Sequence, residues 1–147
     1  DLVVMGPGGL YTSLIPNLLV EGLSKALRDT KAKKVFVVNL MNRKGQTTGF
    51  TLGKHLQEIK RFTGIDVFDF VVVNNKMPSR ELLTMYASEG EMVVNDLKND
   101  ARLIEADLME NRKQEYGKSD ALASHRTFIR HDPHKLAQVL MDILNKI

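Results

Sequence analysis

Cysteine is absent from this 147-residue chain, and so is tryptophan. Without thiols there are no disulfides, no thiolate metal ligands and no cysteine nucleophile. A cysteine-free composition fits a reducing compartment, so the cytoplasm is the expected location. Aromatic residues make up only 6%. None alternates with basic residues as a base-stacking surface requires, and no nucleic-acid partner is expected. No apolar run approaches the roughly 20 residues that cross a bilayer, and no membrane partner is expected. Neither sign of charge dominates. The 21 basic and 18 acidic side chains leave +3, an excess that suits a small anion better than a polyanion.

What is present is enough for a core. Hydrophobic residues make up 43% and charged residues 27%, and the length suits a single α/β domain over residues 1–147. Asp1 leads straight into the apolar run Leu2 to Met5, so an upstream portion is expected. The abrupt strand is also a ready edge for pairing, and a homo-oligomer is expected. Leu2 to Met5 reads as a buried strand that meets a loop at Gly6-Pro7-Gly8-Gly9. A helical pattern follows, with Ile15, Leu18, Leu19, Leu23, Ala26 and Leu27 on one face. Thr12 or Ser13 would cap it, with Pro16 in its first turn. Val35 to Leu40 reads as a second strand, Leu52 to Phe62 as a helix ended by Gly64, and Phe68 to Val73 as a third strand.

Pro78 is placed to open another helix, with Leu82, Leu83 and Tyr86 inward and Gly90 as its stop. Met92 to Val94 and Arg102 to Ala106 read as short strands, and Asp107 to Ser124 as a polar surface loop. Asp132-Pro133 starts a last helix with Leu136, Val139, Leu140, Ile143 and Leu144 as its apolar stripe. Alternating strands and helices predict a three-layer, Rossmann-like α/β sandwich with a mainly parallel sheet.

In such a sheet the loops after the strands share one edge. Ligands bind there, outside the carboxyl ends of the strands, where the strand order reverses. Those loops are Gly6 to Ser13, Asn39 to Thr51 and Asn74 to Ser79. Gly8 and Gly9, just before a helix start, can offer successive N–H groups to an anion, and Thr12 and Ser13 add hydroxyls. A plain tight turn explains the same glycines equally well. The second loop, Asn42-Arg43-Lys44-Gly45-Gln46-Thr47-Thr48-Gly49, carries two cations, two hydroxyls and two glycines, suited to a diphosphate or a sugar. Alone it reads as a solvated loop, and only the pairing of two such loops on one edge favours binding. His125, His131 and His134 do not form a helical metal-ligand pair, and no metal site is expected. His55 sits at the polar boundary of its helix, facing either the ligand edge or solvent. Asp66, Asp69 and Asp96 are the carboxylates near strand ends.

The segment DLVVMGPGGLYTSLIPNLLVEGLSKAL resembles the signature of the CofD-like family, which includes 2-phospho-L-lactate transferases and YvcK-type gluconeogenesis factors. VNLMNRKGQTTGFTLGKHLQEI, VVVNNKMPSRELLTMYASEG, LIEADLM and IRHDPHKLAQVLMDIL extend the likeness along nearly the whole chain, closest to the YvcK-type branch. The resemblance implies the C-terminal part of a larger CofD-like domain, completing a nucleotide site, and a regulatory protein that binds a UDP-sugar in carbon metabolism and cell-envelope or cell-shape control. It places Gly6, Pro7, Gly8, Gly9, Thr12 and Ser13 around phosphates, with Tyr11 shaping the loop or touching the sugar. Asn39, Met41, Gly45, Thr47 and Gly49 line the facing wall, and Asn17 braces the first helix. The alternative it implies is a magnesium-dependent phospholactyl transferase. This chain has Gly9 where the family more often has serine. It also has Lys44, Gln46 and Thr48 where proline, glutamate and aspartate are common, which weakens the magnesium reading.

Overall fold

The computed structural model describes residues 1–110 and 129–146. Four parallel strands, β1 (Leu2–Met5), β2 (Lys33–Val37), β3 (Phe70–Asn74) and β4 (Leu103–Ala106), form one sheet in the order β1-β2-β3-β4. Each crossover steps to the next strand in the same direction. Right-handed crossovers then put their helices on a common face. The α/β architecture is as the sequence predicts. The strand order never reverses among the described residues, so the expected switch point does not occur within this sheet.

Side chains alternate across β2 and β3 with the two-residue strand period. Phe36, Val38, Val71 and Val73 join one core with Ile15, Leu18, Leu27, Leu52, Leu56 and Ile59. That core is covered by α1 (Ile15–Leu18), α2 (Leu23–Asp29) and α3 (Leu52–Thr63). Val35, Val37 and Val72 face the other way, against α5 (Pro133–Leu144) through Leu136, Val139, Leu140 and Ile143. Each fully buried aliphatic side chain contributes about 1.5–3 kcal/mol. A third cluster of Leu40, Met41, Tyr86, Met109 and Ile129 lies where α4 (Arg80–Tyr86) meets the second loop.

Several local expectations change. The first helix starts earlier, with Gly9 at its cap position and neither Thr12 nor Ser13 capping it. Pro16 is the reason. It cannot donate to a carbonyl one turn back, and a wide π-type turn at Leu10–Leu14 precedes it. The Gly9 carbonyl there accepts from both Ser13 (2.8 Å) and Leu14 (3.0 Å). The helix then breaks before Leu23, which leaves Leu19 exposed instead of inward. Pro78 stands just before the cap, Ser79, whose hydroxyl accepts from the Leu82 N–H. Met92 to Val94 makes only isolated bridges to Met41 and Thr51, not a strand. Leu108 and Met109 are buried in the expected polar loop; residues 111–124 of that loop, and His125, lie outside the described residues.

Gly90 is a packing contact and not the expected helix stop, since α4 already ends at Tyr86 with Ala87 as its cap. A Cβ there would stand 1.9 Å from the Asn42 carbonyl oxygen, and the flanking Glu91 carbonyl accepts from the Asn42 N–H at 2.7 Å. Gly90→Ala is expected to lower stability by about 1–3 kcal/mol, read as a shift in the urea midpoint at constant slope.

Candidate functional site

A cleft of about 530 Å³ opens where the loops after β1 and β2 meet the segment leading into α5. The sequence places the first two loops there. Pro7, Gly8, Gly9, Thr12, Ser13, Asn39, Met41 and Thr47 all line it. Gly6, Tyr11, Asn17, Gly45 and Gly49 do not, and neither does the loop after β3.

The first loop is held by the second. The Gly8 N–H donates to Asn39 Oδ1 at 2.9 Å, and Asn39 Nδ2 donates back to the Gly8 carbonyl at 2.8 Å. This closed pair fixes the glycine backbone against the end of β2. It also engages the Gly8 N–H that the sequence offered to an anion. The N–H groups of Leu10, Tyr11 and Thr12 open the helix without acceptors one turn back, and no side chain caps them. Gly6 has φ +86°, and a Cβ there would lie 2.6 Å from the Val37 carbonyl oxygen, so its role is close packing. A Cβ on Gly9 would meet Thr12 Oγ1 at 2.2 Å. A serine in that place requires the Thr12 side chain to move.

Tyr11 points away from the cleft. Its hydroxyl donates to Glu58 Oε2 at 3.0 Å, which ties the loop to α3. Burial and that hydrogen bond push the Tyr11 hydroxyl up. Burial raises Glu58, but the Arg61 guanidinium and the Tyr11 hydroxyl outweigh it, leaving the carboxyl below its usual range. Asn17 Nδ2 donates to the Ser13 carbonyl at 2.6 Å.

The second loop folds on itself. Thr47 Oγ1 accepts from the Arg43 N–H at 2.9 Å, and the Arg43 carbonyl accepts from the Thr47 N–H at 2.9 Å. Gly45 and Gly49 shape this loop from outside the lining, through Thr48 Oγ1 and Glu91 Oε1. Below it lies a buried network. His55 Nε2 donates to Asn42 Oδ1 at 3.0 Å, and Asn42 Nδ2 donates to the Phe50 carbonyl at 2.8 Å. His55 is thus buried beneath the loop, at neither the ligand edge nor solvent, and burial lowers its pKa below 6.5.

Sequence reading missed the third wall. Arg43 and Gln46 belong to the second loop, but Tyr86, Ile129, Arg130 and His131 enter from elsewhere. The Arg-His pair just before the proline-led α5 was the available signal. Burial lowers the His131 pKa, opposed by its hydrogen bond to the Val38 backbone. His131 Nε2 is the buried side-chain nitrogen without a partner among the described residues, a state that costs about 1–3 kcal/mol. Asp66, Asp69 and Asp96 are engaged elsewhere, with Arg102, with Lys33 and Lys34, and with the Gly53 N–H.

The family model described as 2-phospho-L-lactate transferase CofD matches residues 1–117. The chain belongs to the CofD family. A candidate gluconeogenesis factor of Aquifex aeolicus is 40% identical over 98% of this chain and 42% of its own length. The gluconeogenesis factor of Bacillus subtilis is 31% identical over 99% of this chain and 44% of its own. A crystal structure of a UPF0052 family protein from Bacillus halodurans superposes with TM-score 0.80 at 31% identity, over 96% of this chain and 42% of that one. The chain therefore spans about two fifths of the length of these CofD-family relatives.

Two outcomes test this geometry. Asn39→Asp retains the acceptor for Gly8 but sets a carboxylate oxygen against the Gly8 carbonyl, so it should cost more stability than Asn39→Ala in paired urea titrations. The pH effect follows from His55. Its folded pKa lies below its unfolded value, so the unfolded chain binds more protons between them and stability rises with pH. Acidification below about pH 6.5 should lower the urea midpoint, and His55→Gln should flatten part of that slope at about pH 6, with His131 adding to it there and carboxylates held low, such as Asp100 beside Arg102, adding to it at lower pH.

Proposed function

We propose that this chain provides a phosphate-holding wall of a nucleotide-sugar site and acts as a binding and regulatory protein of the gluconeogenesis-factor type. The observation that carries this reading is the lining of the cleft. Among the described residues it presents two arginines, Arg43 and Arg130, and no carboxylate. Thr12 and Ser13 bring hydroxyls, and the uncapped helix start brings N–H groups with positive partial charge. Cations, hydroxyls and backbone donors on one concave surface suit a diphosphate. The sugar and base would occupy the side formed by Leu40, Met41, Tyr86 and Ile129, where the lining is apolar and aromatic. Names of the relatives point to carbon metabolism, and a uridine-diphosphate sugar in the cytoplasm, with a role in the cell envelope, is the ligand class we assign.

The family model's description supports a second reading, transfer of a phospholactyl group with magnesium. The described residues do not fit that ion. No group of three or more histidine or acidic side chains among them could hold a metal, and Asn39 Oδ1 and Thr47 Oγ1 in the cleft already accept backbone N–H groups.

Calorimetric titration with UDP-N-acetylglucosamine, against GDP with magnesium, tests the choice. Saturable binding of the uridine ligand, weakened at least tenfold by Arg43→Ala, is the expected result. Preference for GDP, and only with magnesium, would favour the transferase.

A further inference from the structure

We infer that the Tyr86 hydroxyl is the specificity contact of this cleft: it hydrogen-bonds the uncharged ring that adjoins the ligand's phosphates and takes no part in holding the phosphates themselves. This rests on the reading of the cleft as a nucleotide-sugar site and names the group that tells such a ligand from bare diphosphate.

Tyr86 is the last residue of α4 and lines the cleft. Its side chain is 7% exposed and packs among Leu40, Met41, Met109 and Ile129. Those neighbours are aliphatic or thioether side chains, and the hydroxyl makes no hydrogen bond to any described residue. It is nonetheless not sealed. Among the described residues the enclosed side-chain polar atom without a partner is His131 Nε2, so the unpartnered Tyr86 oxygen keeps accessible surface, and the space its residue borders is the cleft. A buried tyrosine ordinarily finds a partner for its O–H. Here an apolar socket holds the ring and leaves the oxygen at the cavity wall, an arrangement that serves a bound molecule and adds nothing to the core.

The hydroxyl is held in place before anything binds. The turn after Tyr86 is stitched to the second loop, where the Glu89 and Glu91 carbonyls accept from the Lys44 and Asn42 N–H groups, both at 2.7 Å. Gly90 lies against the Asn42 carbonyl between them. Arg43 stands between the same two anchors, so Tyr86 and Arg43 reach the cleft from segments bound edge to edge. Arg43, Arg130, Thr12 and Ser13 are available to phosphate, and Tyr86 belongs to the apolar side with Leu40, Met41 and Ile129. A second charged group would be stranded on that apolar surface, whereas an uncharged ring can lie on it and bring one oxygen to the phenol. Burial and the Glu89 carboxylate push the Tyr86 pKa up against the opposing pull of Arg43. The phenol therefore stays protonated at neutral pH and can both donate and accept. A pyrimidine carbonyl and a sugar hydroxyl share the chemistry it recognises.

Tyr86→Phe removes the oxygen and keeps the ring. Because that oxygen has no partner in the protein, the variant should unfold at the same urea concentration as the parent or at a higher one. Calorimetry of the full chain and of the variant is run with inorganic pyrophosphate, UDP and UDP-N-acetylglucosamine. Pyrophosphate affinity should be unchanged, and the nucleotide sugar should bind about three- to tenfold more weakly, the effect of losing one neutral hydrogen bond. The same loss with UDP assigns the contact to the base, and a loss confined to the nucleotide sugar assigns it to the sugar; either sustains the inference. Nucleotide-sugar affinity equal in parent and variant, or a pyrophosphate loss as large as the nucleotide-sugar loss, overturns this inference alone. A fall in the variant's urea midpoint also overturns it, by showing that the hydroxyl is bonded within the protein. Failure of the parent chain to bind UDP-N-acetylglucosamine overturns both readings.

Discussion

The paired hydrogen bonds between the Asn39 carboxamide and the Gly8 backbone set the position of everything at the ligand edge. Asn39 follows β2 and Gly8 follows β1, so the side chain acts as one further rung beyond the last paired residues of the two strands, Met5 and Phe36. A parallel ladder cannot continue there, because the chain must turn into its crossover helix. A primary amide has one donor face and one acceptor face, and it reproduces the missing rung while the first loop departs in a different direction. Thr12 and Ser13 keep their place over the cleft because the backbone leading into their helix is anchored at this point.

The second loop has an independent anchor of the same chemical kind. Asn42 is almost fully buried, and all of its polar groups for which contacts are described hold backbone or His55. Two asparagines three residues apart thus divide the work, one fixing the first loop and the other fixing the second. Buried polar groups of this kind are costly when half satisfied and rigid when fully satisfied. The cleft wall between them, including Arg43 and Thr47, inherits that rigidity.

The sandwich was legible because its signals are local. The Val-rich runs became β2 and β3, Gly64 ended α3, and Asp132 capped α5 as the sequence patterns indicate. The first two loops of the cleft were legible for the same reason, since glycine and hydroxyl residues follow strand ends. The rest depends on contacts between distant parts of the chain. Tyr11 looked like a ligand contact until Glu58, 47 residues away, claimed its hydroxyl. His55 looked amphipathic until Asn42 buried it. His131 looked like a surface histidine beside a helix cap, and only the return of the chain past Met109, its bridge partner, brings it over the end of β2. Gly90 carried a helix-stop signal, while the dominant constraint on it is the carbonyl of Asn42.

The cleft takes its walls from both layers of the sandwich. The first loop and the second belong to the helices on one face of the sheet, whereas His131 hangs from the start of α5, which alone covers the described part of the other face. A molecule gripped from both sides joins layers that otherwise communicate only through the sheet, and its binding free energy becomes resistance to the local opening of α5. At a hundredfold excess over the dissociation constant that coupling amounts to about 2.7 kcal/mol. Under the proposed function, occupancy of the cleft would thereby be transmitted to amide protons on the far face of the molecule, where a change in ligand supply would register as a change in how long a helix stays closed.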